Sequence, residues 1–307
     1  MDYVIIDAHT HLWLKQDAIV EGKRILTLDR GRSEFMGETV QMLPPFMTDG
    51  QNTVERLIAN MDYARVGAAV VTQEFIDGDQ NAYLLDVQHR YPERICCCGL
   101  VDMRKSGYAE QARSLIDKGF RAIKIPAHRL LTDTLRIDIA SSEAMRMYKL
   151  MEANGIILSI DLAEGEAQVG AMKDIIAECP KLKIAIGHFG MVTRPRWMEQ
   201  IKLALHSNVY IESGGITWLF HEEFYPFEGA VRSIREAADA VGIDKLMWGA
   251  DYPRTIVAIT YKMSYDFVVK SDQLTNEEKA GFLGLNAMKF YGFKQLPSLP
   301  YIKNMSE

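Results

Sequence analysis

The sequence lacks the features that would direct a protein to nucleic acid, a membrane or the secretory route. Its 307 residues contain no long run of lysine and arginine, and 35 basic side chains against 41 acidic ones give a formal charge of −6. No apolar stretch approaches the roughly 18 to 20 residues that span a bilayer, and the amino terminus shows no basic segment followed by an apolar one. We therefore expect a soluble globular protein with no electrostatic reason to bind nucleic acid or an anionic membrane, and composition alone does not indicate its function.

Cysteine is also scarce, and its distribution argues against a disulfide framework. Four cysteines occur, and three of them, Cys96, Cys97 and Cys98, are consecutive. Adjacent residues of a strand point to opposite faces, so this run is poorly suited to paired disulfides or to a zinc site. Buried, reduced thiols are the simpler interpretation, and they predict a cytoplasmic protein.

What the sequence does contain is a repeated alternation of strand and helix. Short runs rich in valine and isoleucine recur, and each is followed by a longer segment with helical periodicity. No glycine-rich dinucleotide fingerprint follows the first strand, which weakens the alternative of a doubly wound sheet. We predict an α/β protein with one domain, a (β/α)8 TIM barrel over residues 1–293, whose eight strands lie at 3–8, 68–72, 95–101, 122–126, 156–162, 184–187, 209–213 and 246–249.

Two segments fall outside this repeat. Residues 12–52 form a long connection after the first strand, with mixed charges and several methionines. A loop of this length is more often functional than neutral, and in a barrel it would lie at the carboxyl-terminal face where active sites are built. We interpret it as a lid or substrate loop, with purely structural contacts as the alternative. Residues 294–307 are predicted to be a polar tail that frays.

Polar residues at the carboxyl ends of the strands are the candidates for catalysis. The first strand ends in Asp7-Ala8-His9-Thr10-His11, where His9 and His11 share one face of an extended chain. Two imidazoles at this spacing suit a divalent cation such as zinc, although a pair of hydrogen-bonded histidines would look the same. His188 follows the sixth strand and Asp251 follows the eighth. Three strands that bring histidine or aspartate to one rim indicate an active site.

Together these motifs resemble a known family. The motif of the first strand, Ile186-Gly187-His188-Phe189-Gly190 and Trp248-Gly249-Ala250-Asp251-Tyr252-Pro253 resemble the amidohydrolase superfamily. They are most similar to its amidohydrolase-related branch, which contains aminocarboxymuconate-semialdehyde decarboxylase and several lactonases. The resemblance covers nearly the whole chain, and it implies a distorted (β/α)8 barrel that carries out hydrolysis or non-oxidative decarboxylation.

The resemblance also implies roles for individual residues. His9 and His11 match the metal-binding pair of the first strand. His188 matches the histidine that polarises the substrate or acts as an acid or base, and Asp251 matches the aspartate that binds metal, accepts the proton of the attacking water, or both. Metal-bound water and a neighbouring carboxylate are a sound pairing for such chemistry.

One position departs from the family pattern. Many metal-dependent relatives have a histidine at the end of the fifth strand, where this chain has Asp161. Its carboxylate is expected to replace the imidazole as a ligand of one divalent ion, which would be zinc, with manganese as the alternative. Metal independence stays open at this point, because some lactonases of the branch also lack that histidine and work without metal.

Further polar residues near the strand ends are candidates for binding the substrate. Lys124 lies in the fourth strand and is expected to pair with Asp161 or Glu212, or to meet a substrate carboxylate. The other substrate-binding candidates, which would suit an anionic substrate or line the pocket, are His128, Arg129, Arg254, Trp218 and His221. Surface or structural placement is the alternative for each of them.

Three classes of function are compatible with these residues: hydrolysis, decarboxylation, and binding without turnover. The leading hypothesis is a metal-assisted hydrolase of a small carbonyl substrate, a lactone or an amide, with Asp251 as proton acceptor and His188 polarising the substrate. The alternatives are a non-oxidative decarboxylase of a small carboxylic acid, or a lactonase that needs no metal. A barrel that only binds a small acid is the third class, and a homo-oligomer is an option because relatives often pair through barrel faces.

Overall fold

The computed structural model describes residues 3–299 together with 301, 303 and 305. Eight parallel strands follow one another in chain order around a single sheet, β1 and β6 to β12. In the described chain the twelve strands are β1 Ile6–His11, β2 Asp17–Val20, β3 Lys23–Thr27, β4 Arg32–Phe35, β5 Glu38–Gln41, β6 Ala68–Thr72, β7 Ile95–Leu100, β8 Ala122–Ile125, β9 Ile157–Ile160, β10 Ile184–Ile186, β11 Val209–Glu212 and β12 Leu246–Met247.

The sheet closes between its first and last strands. The Ala8 amide donates a hydrogen bond to the Trp248 carbonyl at 2.9 Å, and the Asp251 amide donates one to the His9 carbonyl at 2.9 Å. The strands that pack at the centre are buried along their whole length, as expected for parallel strands covered on both sides. The prediction of a single-domain (β/α)8 barrel is confirmed.

Helices surround the barrel and connect its strands. The α-helices of the described chain are α1 Val54–Ala64, α2 Asn81–Arg90, α3 Tyr108–Asp117, α4 Ser142–Ala153, α5 Val169–Glu178, α6 Met198–Ile201, α7 Ile216–Leu219, α8 Glu228–Val241, α9 Met263–Lys270, α10 Asn276–Ala280 and α11 Asn286–Tyr291. Helix α4 begins after Ser141, whose hydroxyl caps it by accepting a hydrogen bond from the Ala144 amide at 3.3 Å. Among the described residues, none of these helices is both long and apolar enough to cross a membrane.

The first strand lies further along the chain than predicted, at Ile6–His11 instead of residues 3–8. Its parallel pairing with β6 extends to the pair His11 and Thr72. The strand therefore includes both histidines of the motif, which hydrogen bonding within the barrel fixes in place.

The long connection after β1 contains regular structure. Strands β2 to β5 form a separate four-stranded antiparallel sheet, called here the small sheet. Two of its hairpins turn at Glu21-Gly22 and Met36-Gly37, where all four residues have positive φ. Such two-residue turns match the twist of antiparallel strands and favour glycine. These hairpins are not predicted from the sequence, although a residue followed by glycine between two short runs is a pattern that can indicate them.

The carboxyl-terminal tail lies partly outside the described residues, which omit 300, 302, 304, 306 and 307. Residues 294–299 have no helix or strand, and Leu296 packs against a cluster of buried residues from the barrel strands. The four cysteines are free and buried.

Candidate active site

Two histidines and an aspartate meet at the carboxyl-terminal end of the barrel. Within this group, the His9–His11–Asp251 group, the Nε2 atoms of the two imidazoles are 3.1 Å apart. Asp251 Oδ1 lies 3.1 Å from Nε2 of His11 and 3.8 Å from Nε2 of His9. All three side chains are almost completely buried. The structure thus brings together three of the residues that the sequence predicts to bind metal.

Two further carboxylates orient the imidazole rings. The Nδ1 atom of His9 lies 2.6 Å from Glu212 Oε1, and Nδ1 of His11 lies 2.6 Å from Asp77 Oδ2. A carboxylate accepts a hydrogen bond from the nearest ring nitrogen, so both rings carry hydrogen on Nδ1. In the neutral rings each Nε2 atom then directs a lone pair toward Asp251, whereas a protonated His11 donates from Nε2 to Asp251 Oδ1.

Three acceptor atoms that face one another require a cation between them. With both rings neutral, the buried Asp251 Oδ1 receives no hydrogen bond from any described residue, while Oδ2 of the same carboxylate accepts one from the Trp218 indole at 2.9 Å. Either a proton or a metal ion must compensate such a cluster. Two imidazole nitrogens and one carboxylate oxygen are a donor set that zinc favours, and their spacings approach the tetrahedral edge of about 3.3 Å. The residues therefore fit a divalent metal.

The second candidate group is built differently. Asp161, at the end of β9, lies near His188, with 3.6 Å between Oδ2 and Nε2, and these two residues and His9 could also surround an ion. Here, however, the buried Lys124 ammonium lies 2.5 Å from Asp161 Oδ1 and 3.4 Å from the Ser159 hydroxyl. The Lys124–Asp161–His188 group therefore already contains a cation.

Burial and neighbouring charges set the protonation of these groups. Burial lowers the pKa of His188, but the nearby carboxylates, Asp161 first, more than offset it and raise the pKa to about 9. Burial raises the pKa of Asp251, yet His11, Arg254 and His9 overcome this and hold the carboxyl well below its usual range. His188 is thus expected to be a proton donor and Asp251 a proton acceptor near neutral pH.

A cavity of about 520 Å³ opens onto these groups. It is lined by four of the predicted substrate-binding residues, His128, Arg129, Trp218 and Arg254. Lys124 is fully buried beneath the cavity and does not line it. His221 is exposed, bonds through Nδ1 to the Trp218 carbonyl, and does not belong to the lining.

The basic side chains of the lining are paired with protein carboxylates. Arg254 donates to Asp77 Oδ1 at 2.9 Å and lies 3.7 Å from Asp251 Oδ1. Arg129 donates to Glu74 Oε1 at 3.1 Å and lies 3.7 Å from Glu21 of the small sheet. Their charges are compensated within the protein.

Several residues of the site carry no sequence signal of their own. Asp77 follows β6 in a short 3₁₀ turn, and only its contact with His11 shows its importance. Glu74 likewise matters through Arg129. Phe35 and Met42 belong to the small sheet and the residue after it, yet both line the cavity. This placement agrees with the expectation that the long connection contributes to a substrate site.

A family model for amidohydrolases matches residues 6–293 of the chain. The protein is a member of the amidohydrolase family. The matched region includes the whole barrel and every residue of both groups around His9. The family identified from the sequence motifs is therefore confirmed.

Known proteins similar to this amidohydrolase include lactonases and decarboxylases. The chain is 26% identical to L-fucono-1,5-lactonase of Burkholderia ambifaria over 302 residues, which covers 93% of this chain and 94% of the relative. A crystal structure of a probable 2-pyrone-4,6-dicarboxylic acid hydrolase from Acinetobacter baumannii, with citric acid bound, matches with a TM-score of 0.67 and 17% identity, over 94% of this chain and 99% of that one.

Two further solved structures contain metal. An amidohydrolase from Burkholderia multivorans with bound zinc matches with a TM-score of 0.67 and 20% identity, covering 96% of this chain and 100% of that one. A 5-carboxyvanillate decarboxylase from Novosphingobium aromaticivorans, in complex with manganese and 4-hydroxy-3-methoxy-5-nitrobenzoic acid, matches with a TM-score of 0.55 and 20% identity, over 77% and 79% of the two chains. These likenesses show a shared fold, and the predicted hydrolase of the amidohydrolase family fits them.

Proposed function

We propose that this amidohydrolase is a metal-assisted lactonase that opens a small, uncharged lactone. The observation that carries the proposal is the buried Oδ1 atom of Asp251, which faces the Nε2 atoms of both imidazoles and has no hydrogen-bond partner among the described residues. The similarity to L-fucono-1,5-lactonase over almost the full length supports the substrate type.

The metal would be held by His9, His11 and Asp251. Zinc fits two imidazoles and a carboxylate best, and the similar zinc-containing amidohydrolase supports it. Manganese is the second choice, as in the similar decarboxylase. Asp161 as a ligand remains a sequence prediction, and we leave it out of the proposed set because Lys124 already neutralises it.

The charge of the site supports both the metal and a neutral substrate. Three basic side chains, Lys124, Arg129 and Arg254, meet a larger set of buried carboxylates that contact them or the imidazole rings: Glu74, Asp77, Asp161, Glu212 and Asp251. With His188 protonated, five negative and four positive charges leave one negative charge, so the site favours a bound cation. No unpaired basic side chain then remains among the described lining residues to hold a substrate carboxylate.

The residues of the chain divide the work of hydrolysis. A bound divalent metal would polarise the lactone carbonyl and acidify water. Asp251, whose Oδ2 accepts a hydrogen bond from the Trp218 indole, is the carboxylate beside the metal and would accept the proton of the attacking water. His188 bonds through Nδ1 to the Gly214 carbonyl at 2.9 Å, so its protonated Nε2 faces the site. When the ring C–O bond breaks, this nitrogen donates its proton to the leaving alkoxide, and the product is a hydroxy acid.

Decarboxylation is the competing activity, since a decarboxylase is among the similar structures. Arg129 and Arg254 are both paired with protein carboxylates, so only the metal and His188 would be left to hold a substrate carboxylate. We therefore favour hydrolysis.

The test is to incubate the purified, zinc-loaded protein with neutral δ-lactones and with hydroxylated benzoic acids. Acid release from a lactone, with no carbon dioxide from the benzoic acids, is expected. Carbon dioxide release without lactone opening would contradict the proposal.

The cell compartment is proposed on separate grounds. All four cysteines are buried free thiols. Such thiols persist in a reducing compartment, so we place the enzyme in the cytoplasm.

A further inference from the structure

The cavity lining combines two kinds of side chain. Besides the ionisable groups described above, it contains six apolar side chains, called here the apolar wall: Phe35, Met42, Ile76, Leu162, Met191 and Val257. Four of them follow barrel strands, and Phe35 and Met42 come from the small sheet or directly follow it. The small sheet thus places apolar surface over a polar active site.

Several polar side chains of the lining already form hydrogen bonds or ion pairs with other protein groups. Both hydrogen bonds donated by the Gln41 amide go to backbone carbonyls, of Arg30 at 2.8 Å and of Leu43 at 2.7 Å. Glu74 accepts from Arg129 and from the Ile76 amide, and Glu164 pairs with Arg194 at 3.3 Å. Their donors and charges are engaged within the protein, and Gln41 Oε1 and the remaining lone pairs of the carboxylates are the acceptors left to a ligand.

Outside the His9–His11–Asp251 group, Nδ1 of His128 is a buried polar atom of the lining with no hydrogen-bond partner among the described residues. It can satisfy a single hydroxyl of a ligand. A ligand with hydroxyls all around its ring would place some of them against the apolar wall, where they find no partner, and this costs free energy on burial.

We propose that the substrate is an uncharged lactone that carries an apolar substituent, and that Phe35 and Met42 select it. This inference rests on the proposed lactonase function. A cavity of about 520 Å³ accommodates a ligand larger than a lactone ring alone. The lactone carbonyl lies beside the ionisable groups, and the substituent contacts the apolar wall, where it loses its contact with water.

The experiment compares two lactones with the same six-membered ring. One carries an unbranched alkyl chain, δ-nonalactone, and the other is fully hydroxylated, glucono-1,5-lactone. We expect the alkyl lactone to have the higher kcat/KM by about 10- to 200-fold, the range that hydrophobic pockets achieve. An equal or higher kcat/KM for the hydroxylated lactone would overturn the inference and leave the lactonase proposal intact. Opening of neither lactone would overturn both.

Variants test the selecting residues. Phe35→Asn and Met42→Gln are each expected to reduce the ratio of the two kcat/KM values several-fold, mainly through KM for the alkyl lactone. Phe46→Asn is the matched control, because Phe46 lies in the same connection, is 75% exposed and does not line the cavity. A ratio unchanged in Phe35→Asn and Met42→Gln, or changed equally in Phe46→Asn, would contradict the assignment to the small sheet.

Discussion

The two histidine–carboxylate groups of this active site meet at His9 but obtain their positive charge in different ways. In the Lys124–Asp161–His188 group, the buried ammonium of Lys124 lies against the aspartate. In the His9–His11–Asp251 group, acceptor atoms face one another, and Asp251 Oδ1 has no hydrogen-bond partner among the described residues. The first group has its cation within the chain, whereas we propose that the second takes an ion from outside.

This difference explains how one barrel mouth can hold so many ionisable side chains. Buried charges persist only when a partner compensates them. A lysine supplies that compensation permanently, but the oxygen paired with it is then not available to bind a metal or to accept a proton. A site that must bind a metal has to keep its acceptors unpaired, and it depends on second carboxylates such as Asp77 and Glu212 to fix their orientation.

The largest effect is expected from Asp251, which belongs to the group without a cation of its own. Asp251→Asn keeps the shape of the side chain but removes its charge and basicity, so kcat for lactone opening should fall by about 10²- to 10⁴-fold. Steady-state kinetics measures the loss, and an unchanged melting temperature serves as the folding control. Near-normal turnover with intact folding would remove Asp251 as the proton acceptor.

The next largest effect is expected from the internal cation. Lys124→Met removes the closest partner of the buried Asp161 and leaves it only His188, so the free energy of unfolding should fall by about 3 to 5 kcal/mol. The double variant Lys124→Met/Asp161→Leu removes both charges and should recover most of that loss while it still binds one metal per chain. Denaturant unfolding and metal analysis give the two readouts. Loss of metal in the double variant would mean that Asp161 is a ligand after all.

A smaller effect is expected from the carboxylate that orients His11. Asp77→Ala removes the acceptor for Nδ1, and metal affinity should fall by about 10- to 100-fold. Asp77→Asn keeps an acceptor oxygen and should lose less. Titration with zinc against a competing chelator measures both, and wild-type affinity in Asp77→Ala would show that the ring needs no such support.

The barrel and the metal-binding motif follow from local patterns in the chain. Alternating apolar strands and amphipathic helices predict the barrel, and polar residues at strand ends predict His9, His11, His188 and Asp251. Both signals depend on short-range periodicity, and the barrel brings the strand ends together automatically. This is why residues more than 200 positions apart could be assigned to one site.

The remaining residues depend on contacts that no local pattern encodes. Asp77 and Glu74 lie in an irregular turn, and their roles come from partners on β1 and after β8. In the sequence, Phe35 and Met42 are ordinary residues of a long connection, and only the structure shows that they line the cavity. His221, by contrast, has a plausible residue type and position, but its ring turns outward to a backbone carbonyl.

Metal content is the most direct test of the central claim that His9, His11 and Asp251 hold one divalent ion. Elemental analysis would compare the wild type with His9→Ala/His11→Ala and with His89→Ala/His206→Ala, a matched pair of exposed histidines. The account predicts close to one zinc per chain in the wild type and the control, and almost none in His9→Ala/His11→Ala. Equal, near-zero metal in all three proteins, with full lactonase activity in the wild type, would contradict it.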